Sequence, residues 1–399
     1  MRSLAATFVT LGLAYGVWYS YAVFLVALLN EFGWSRSLLA GAFSVFTLVH
    51  GLAGAPLGWL ADRVGPRRLV LAGGGVLALG LVLDGAVSRP WHLYLTFGLL
   101  TGAGVAACGW MPAVMLVQRW FPQRLGTTLG ITSAGIGVGI FLVVPLAQYA
   151  IDLVGWRAAF RLFGVLVALW VIPATLCLVR DPPRSGPAPA ASSGTLARDI
   201  TLAEAARGSR FWLLAVSNLF GAFIIQMLLV HQVAYLVDHG VTSLVAATVV
   251  SLVGIGSIVG KGAGGWASDT LGREVTYTFG VVCMGASIGC LGLLALAPGP
   301  LWAYAYGALV GVGYSVTAPL MPAVVADFYR GRHFGTIFGM LHLANAIGGS
   351  SGPWVAGLIF DATGSYAAAF VAALACGAIA ATALWIVAPR RLRRGRVGR

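Results

Sequence analysis

The sequence predicts an all-α membrane protein of twelve transmembrane helices in two pseudo-symmetric six-helix halves, and three observations predict it. A mean hydropathy of +0.89, with 59% hydrophobic and only 9% charged residues, excludes an ordinary soluble domain. Apolar runs of roughly 20 residues, the length that crosses a hydrocarbon core, recur twelve times along the 399 residues. The second six runs also repeat motifs of the first six.

The runs fall at 5–29, 37–60, 69–87, 92–117, 126–150, 158–179, 211–236, 243–268, 275–296, 301–326, 335–360 and 366–388, numbered here as spans 1 to 12. The first has no small-residue cleavage site and reads as a true span rather than a removed signal peptide. The stretch Arg180–Arg210 is rich in Pro, Ala, Ser and Gly and reads as a flexible linker. It divides the chain into an N-terminal half (1–180), a cytoplasmic linker (181–209) and a C-terminal half (210–399) with a basic tail. Thr201 and Glu204 have the spacing of a capping box, predicting a short surface helix before span 7.

Arginine placement orients the chain. With both termini in the cytoplasm, inner loops and tails hold 20 of the 25 Lys+Arg, and the outer side holds four: Arg36, Arg89, Arg157 and Arg161. This follows the positive-inside rule and predicts a multi-pass protein of the cell's inner (plasma) membrane, working as a monomer in the lipid bilayer. The tail Arg390–Arg399 carries six arginines and reads as an anchor on anionic lipid rather than a nucleic-acid element. The five cysteines lie in apolar spans without metal-site spacing and read as packing residues. No metal and no cofactor is expected.

The repeat is visible in residues. GWLADRVGPRR from Gly58 returns as GWASDTLGREV from Gly265, and Met111-Pro112-Ala113-Val114 returns as Met321-Pro322-Ala323-Val324. Gly126-Thr127 matches Gly335-Thr336, and Ile151-Asp152 with Phe160 matches Phe360-Asp361 with Phe370. Duplicated six-span units are a mark of secondary transporters, which place substrate between the repeats at mid-membrane.

Lys261 is the chain's single lysine and the single charge inside Ser243–Ser268. Positions one turn away hold Ser257, Ile258, Gly264 and Gly265, so no carboxylate on its own helix can pair with it. A cation at membrane depth is costly and marks a functional position; an anionic substrate would satisfy it. A lysine bonded to backbone carbonyls or water is the alternative.

The loop Gly58, Asp62, Arg63, Gly65, Arg67, Arg68 resembles the loop motif of the major facilitator superfamily. Segments 15–24, 31–37, 118–126 and 335–353 resemble its monocarboxylate transporter and oxalate/formate antiporter branch. The resemblance implies that Lys261 occupies the position of a substrate-binding arginine, and that Asp62, Arg63 and Arg67, with Asp269 and Arg273 as a weaker copy, form an inner gate. Span 11 lacks the second cation of the oxalate/formate pattern, offering His342 and Asn345 instead, which suits a monoanion. Tyr19 stands where animal monocarboxylate transporters use a lysine, and Ser257 stands where they place an aspartate.

Tyr19, Tyr314, Asn345 and His342 are candidate substrate contacts, and Trp18 and Trp110 are candidate walls of an apolar pocket. No Asp or Glu lies deep in any span, since Asp84, Asp238 and Asp327 sit near ends, so Lys261, His50, His231 and His342 are the candidates for carrying a coupled proton. The resulting expectation is an alternating-access carrier of small monocarboxylates of the lactate or pyruvate kind, with proton coupling. Exchange of organic anions, as in the oxalate/formate type, and a non-transporting receptor or scaffold are the alternatives. No nucleophile–base pair or phosphate-cradling loop is visible, so an enzyme is not expected.

Overall fold

The structure is a computed structural model that describes residues 2–120, 125–179, 200–297, 299–317, 320–329 and 333–387. The expected linker falls outside the described residues up to Arg198 and Asp199. Its final part forms the helix Leu202–Arg207, in which Thr201 and Glu204 close the capping box in both directions.

The described residues of the predicted spans are helical apart from Gly109 and a few at span ends: span 1 is Arg2–Phe32, span 2 Arg36–Val64, span 3 Pro66–Asp84 and span 7 Ser209–Asp238. Span 8 is Ser243–Thr270, span 9 Arg273–Leu296, span 11 Phe334–Thr363 and span 12 Ala367–Val387. Spans 5 and 6 are the two arms of Leu125–Cys177, which folds back at Gly155, where φ is 78°. Span 10 is carried by Pro300–Thr317 and Leu320–Phe328. Among the described residues, ten segments are long and apolar enough to cross a membrane, and Thr128–Cys177 contains two crossings. The twelfth, span 11, is diluted by glycines, His342 and Asn345, yet runs for 30 residues.

Span 4 departs from the single helix expected over 92–117. It is built from Pro90–Leu93, a π-helical segment Tyr94–Thr101, then Gly102–Cys108 and Trp110–Trp120. Gly109, with ψ −138°, breaks the last junction. Gly98 and Gly102 of this stretch approach Val45 and Phe46 of span 2, and Gly104 approaches Leu77 of span 3; the π segment shifts the helix register between them.

The sequence repeat is also a backbone repeat. Among the described residues, the six positive-φ glycines pair as Gly33 with Gly240, Gly65 with Gly272, and Gly155 with Gly364. Their separations are 240 − 33 = 207, 272 − 65 = 207 and 364 − 155 = 209. N-caps repeat likewise: Ser35 accepts from the N–H of Leu38, and Thr242 from that of Val245. Helix packing obeys the same operation. A β-carbon on Gly139 of span 5 would overlap the Gly12 carbonyl of span 1, and one on Gly348 of span 11 would overlap the Leu219 carbonyl of span 7.

The first six and last six spans close on each other at the end of the bundle that holds Arg36. There span 2 packs on span 11, and span 5 on span 8. At the opposite, Arg67 end they separate. β-Carbons on Gly54 and Gly58 of span 2, Gly130 of span 5, Gly265 of span 8, and Gly335 and Gly339 of span 11 would meet nothing within 4 Å.

Gly139→Leu should overpack the span 1–span 5 contact by about 1–3 kcal/mol or more, whereas Gly289→Leu, with open space around it, should be tolerated. Thermal unfolding and monodisperse yield of the two detergent-purified variants check this; equal behaviour would refute the close approach.

Candidate functional site

Arg36, at the first turn of span 2, holds the closed end. Its guanidinium donates to Asp238 of span 7 at 2.6 Å and to the Tyr366 hydroxyl at 2.8 Å. It also lies 3.8 Å over the Phe360 ring. Asp361 accepts from the backbone N–H groups of Arg36 (3.0 Å) and Ser37 (2.9 Å). A carboxylate at a helix N-terminus satisfies free N–H groups and meets the positive end of the helix dipole. Sequence reasoning assigned Arg36 only to topology, and missed Asp238 and Asp361 as its partners.

His231 belongs to this closure. Arg36 donates to Tyr366, so the tyrosine's own proton goes to His231 Nδ1 (2.8 Å). The other ring nitrogen, Nε2, then donates to the Pro353 carbonyl at 2.8 Å. Both nitrogens of this buried imidazole are engaged, and it sits away from the open cleft.

Two seams run inward from Arg36. Along span 2 and span 11, Ser44 donates to the Ser350 carbonyl at 2.5 Å, and Gly51 abuts Ala346. Along span 5 and span 8, Ser251 donates to the Phe141 carbonyl at 3.1 Å, and Gly137 abuts Gly254 and Ile258. Beyond Ala346 and Ile258 the spans diverge.

Lys261 follows Ile258 by one turn. At about 100° per residue it lies about 20° from Gly254 and 60° from Ile258, on the face turned to span 5. The outward stripe of span 8, with Val259 63% and Trp266 69% exposed, lies about 140–160° away. Lys261 is half-buried and nine residues from the helix end at Thr270, about 14 Å along the axis. No hydrogen bond or ion pair to it is found among the described residues. His342 of span 11 stands one turn before Ala346, exposed, with its ring 6.1 Å from that of Phe338. Asn345 is half-buried beside Ala346.

Tyr19 of span 1 donates to Tyr314 of span 10 at 2.8 Å, joining the two halves at their centre. A β-carbon on Gly260 would meet Ser315 Cβ at 2.5 Å, so Tyr314 and Lys261 leave neighbouring helices at one level. Trp18 stacks on Tyr15 (5.6 Å) and meets His50 edge-on (4.6 Å). Trp110 is half-buried against the same core, directly after Gly109, whose β-carbon would touch the Tyr15 ring. A small cavity on the seam is lined by Trp18, Tyr19, Ala22, Phe43, Gln226, Leu229 and Val230. Gln226 went unnoticed in the sequence because it is one uncharged amide within Phe223–Val230. Its isolation in that apolar run is the signal that could have found it.

The other predicted residues lie at the Arg67 end. Arg63 covers the Trp59 ring at 3.8 Å, and Arg67 donates to the Thr175 and Leu176 carbonyls at 3.1 and 2.6 Å. Arg273 bonds Asp327 at 3.1 Å and Asp269 at 2.8 Å. These contacts stay within one set of six spans. The side chain of Asp62 lies outside the described residues.

Comparison with known proteins accords with this architecture. The sequence profile of the Major Facilitator Superfamily matches residues 7–316 and 234–399. Monocarboxylate transporter 13 of Bos taurus is 30% identical over 375 residues, covering 90% of this chain and 83% of that protein. Monocarboxylate transporter 12 of Rattus norvegicus is 29% identical over 388 residues, covering 89% and 78%. The crystal structure of a bacterial homolog of the human lysosomal transporter Spinster, in an inward-facing and occupied conformation, superposes with a TM-score of 0.68 at 17% identity. It covers 98% of this chain and 95% of that one, a likeness of fold. With its duplicated six-span units and central cleft, the chain is a multi-pass membrane transporter belonging to the major facilitator superfamily, within its monocarboxylate transporter branch.

Proposed function

We propose that the protein carries small organic monocarboxylates of the lactate or pyruvate kind across the cell membrane by alternating access, with Lys261 as the carboxylate-binding cation. The observation that carries this reading is the position of Lys261: in the cleft, one turn past the last contact between the halves, with no protein counter-ion among the described residues. A desolvated cation gains most from a ligand that supplies the missing charge. Tyr19 and Tyr314 are positioned to donate to the same ligand once their mutual bond opens. His342 and Asn345 face the mouth from span 11, and Trp18 and Trp110 wall the aromatic side.

In this reading the Arg36 end faces outward, both termini face the cytoplasm, and the cleft opens inward. The halves 1–180 and 210–399 rock about the Lys261–Tyr314 level, and Arg36 with Asp238 and Asp361 forms the outer latch. Asp62, Arg63, Arg67, Asp269 and Arg273 close the inner side in the opposite state. Proton symport fits the branch resemblance, and the groups that remain free to carry the proton are Lys261, His50 and His342. His231 is committed to the latch. Anion exchange is favoured by one observation: Ser257, buried with an unpartnered hydroxyl, replaces the acid that would take a proton beside Lys261.

Uptake of labelled lactate, pyruvate, formate and oxalate into proteoliposomes tests the reading. Stimulation by an inward proton gradient supports symport, and dependence on internal anion supports exchange. Lys261→Ala should reduce monocarboxylate uptake about 10- to 100-fold, the loss of one charge-assisted contact, while Lys261→Arg retains part of it. Undiminished uptake by the alanine variant removes Lys261 from the site. Arg36→Ala should loosen the latch. In a chain whose own cysteines are replaced, a reporter Ser44→Cys should then react about two- to fivefold faster with an impermeant thiol reagent added outside, as expected for a partly exposed ion pair. An unchanged rate would show that the seam closes without Arg36.

A further inference from the structure

We infer that His231 is a proton-operated release for the outer latch: a proton bound from the outer side drives Arg36 off Tyr366 and opens the carrier outward. This rests on Arg36 being that latch, and it concerns gating rather than a proton that travels with cargo. His231 is 3% exposed and lies seven residues before Asp238 at the end of span 7, about 10 Å along the axis.

One chain of hydrogen bonds ties the ring to the arginine. A guanidinium only donates, so Arg36 Nη1 gives its proton to the Tyr366 oxygen at 2.8 Å. The hydroxyl then donates to His231 Nδ1, also at 2.8 Å, and Nε2 donates to the Pro353 carbonyl. Each link fixes the next. The closed latch therefore admits one form of the ring, bare at Nδ1 and protonated at Nε2.

A second proton breaks this order. An imidazolium donates from both nitrogens, so Nδ1 and Arg36 would both aim protons at one oxygen. The two nitrogens are each 2.8 Å from it and so at most 2 × 2.8 = 5.6 Å apart. Buried like charges at that distance are little screened, and the hydroxyl proton loses its acceptor. The nearby carboxylates are already engaged by span 2 while the latch is shut. Asp238 holds Arg36 at 2.6 Å, and Asp361 accepts from the N–H groups of Arg36 and Ser37. The other titratable neighbours are committed as well: Tyr235 donates to the Leu291 carbonyl, and His239, two turns on, bonds the Tyr235 carbonyl.

Opening reverses the balance. Arg36 belongs to the first six spans, whereas His231, Asp238, Asp361 and Tyr366 belong to the last six. When the halves part at this end, the arginine leaves and the tyrosine oxygen is free to accept from Nδ1. Two carboxylates then face the ring without their span 2 partners. The closed latch opposes the proton and the open latch welcomes it. Coupling of this kind is reciprocal, so a proton on His231 shifts the population towards the outward-open state. Acid outside readies the carrier to load from that side before any cargo binds.

The reporter Ser44→Cys, in a chain whose own cysteines are replaced, tests this in right-side-out vesicles without substrate and with one pH on both sides. Its rate with an impermeant thiol reagent added outside is divided by that of Leu153→Cys, a position 68% exposed at the outer turn between spans 5 and 6. The quotient cancels the thiol's own pH dependence. Between about pH 8 and about pH 5.5, which brackets the ordinary histidine range, it should rise about fivefold or more, as coupled sites do. His231→Asn keeps an acceptor for Tyr366 but takes up no proton, and should hold the rise below about 1.5-fold; His239→Gln should retain it in full. In Arg36→Ala the quotient should start high and ignore pH, which decides the matter if His231→Asn fails to accumulate. A parent chain indifferent to pH, a rise that survives His231→Asn or Arg36→Ala, or one lost in His239→Gln overturns the inference. An Arg36→Ala quotient no higher than the parent's at about pH 8 would instead sink the latch reading itself.

Discussion

A charge held in apolar surroundings has to be matched within reach, and the bundle treats its cations unequally. Arg36 has a carboxylate, a tyrosine hydroxyl and an aromatic face. Arg273 has two carboxylates and a serine hydroxyl. Lys261, the deepest of the three, has no such partner among the described residues. Surplus pairing at one end and none at the centre is what a seam that must stay shut and a site that must be filled would each require.

The duplication explains why the unmatched group sits where the halves part. Both seams obey one operation, visible in glycine pairs separated by 207 to 209 residues. Each seam includes a close contact between small residues, Gly51 with Ala346 and Gly137 with Gly254. Small residues let helix backbones approach closely without interlocking side chains, so such seams can separate without unpacking a core. Lys261 lies one turn past Ile258 on span 8, and His342 one turn before Ala346 on span 11. The repeat pairs Lys261 with Gly54 of span 2 and His342 with Ser133 of span 5, so at the head of the cleft the chain departs from its own symmetry and sets both groups on the C-terminal half.

Much of this was legible in the sequence because it is local. Span lengths follow from runs of apolar residues, the Leu202–Arg207 helix from the spacing of Thr201 and Glu204, and the repeat from motifs such as GWLADR and GWASDT. The face of Lys261 could be anticipated from its helix, because Gly254 and Ile258 share it. What stayed hidden is what only the fold brings together. Arg36 meets Asp238 across 202 positions and Asp361 across 325, and no local pattern marks those residues as partners. His231 resembled any histidine in an apolar span until Tyr366 and Pro353 claimed both its nitrogens. Span 4's π segment packs against spans 2 and 3, contacts that its own apolar pattern does not record.

The commitment of His231 bears on how carboxylate movement could be coupled. With the Arg36 end closed, its hydrogen-bond directions leave Nδ1 without a proton of its own. A second proton would displace the Tyr366 bond and loosen Arg36. An imidazole so placed reports on the latch and is poorly suited to accompany cargo through the centre. The groups facing the cleft are Lys261, His342 and, behind Trp18, His50. If the substrate itself neutralises Lys261, the loaded carrier crosses without a bare charge and the empty one does not, whether or not a proton travels too. Coupling then needs no dedicated carboxylate, and Ser257 at the position one turn before Lys261 becomes intelligible: an acid there would compete with the substrate for the one cation the cleft provides.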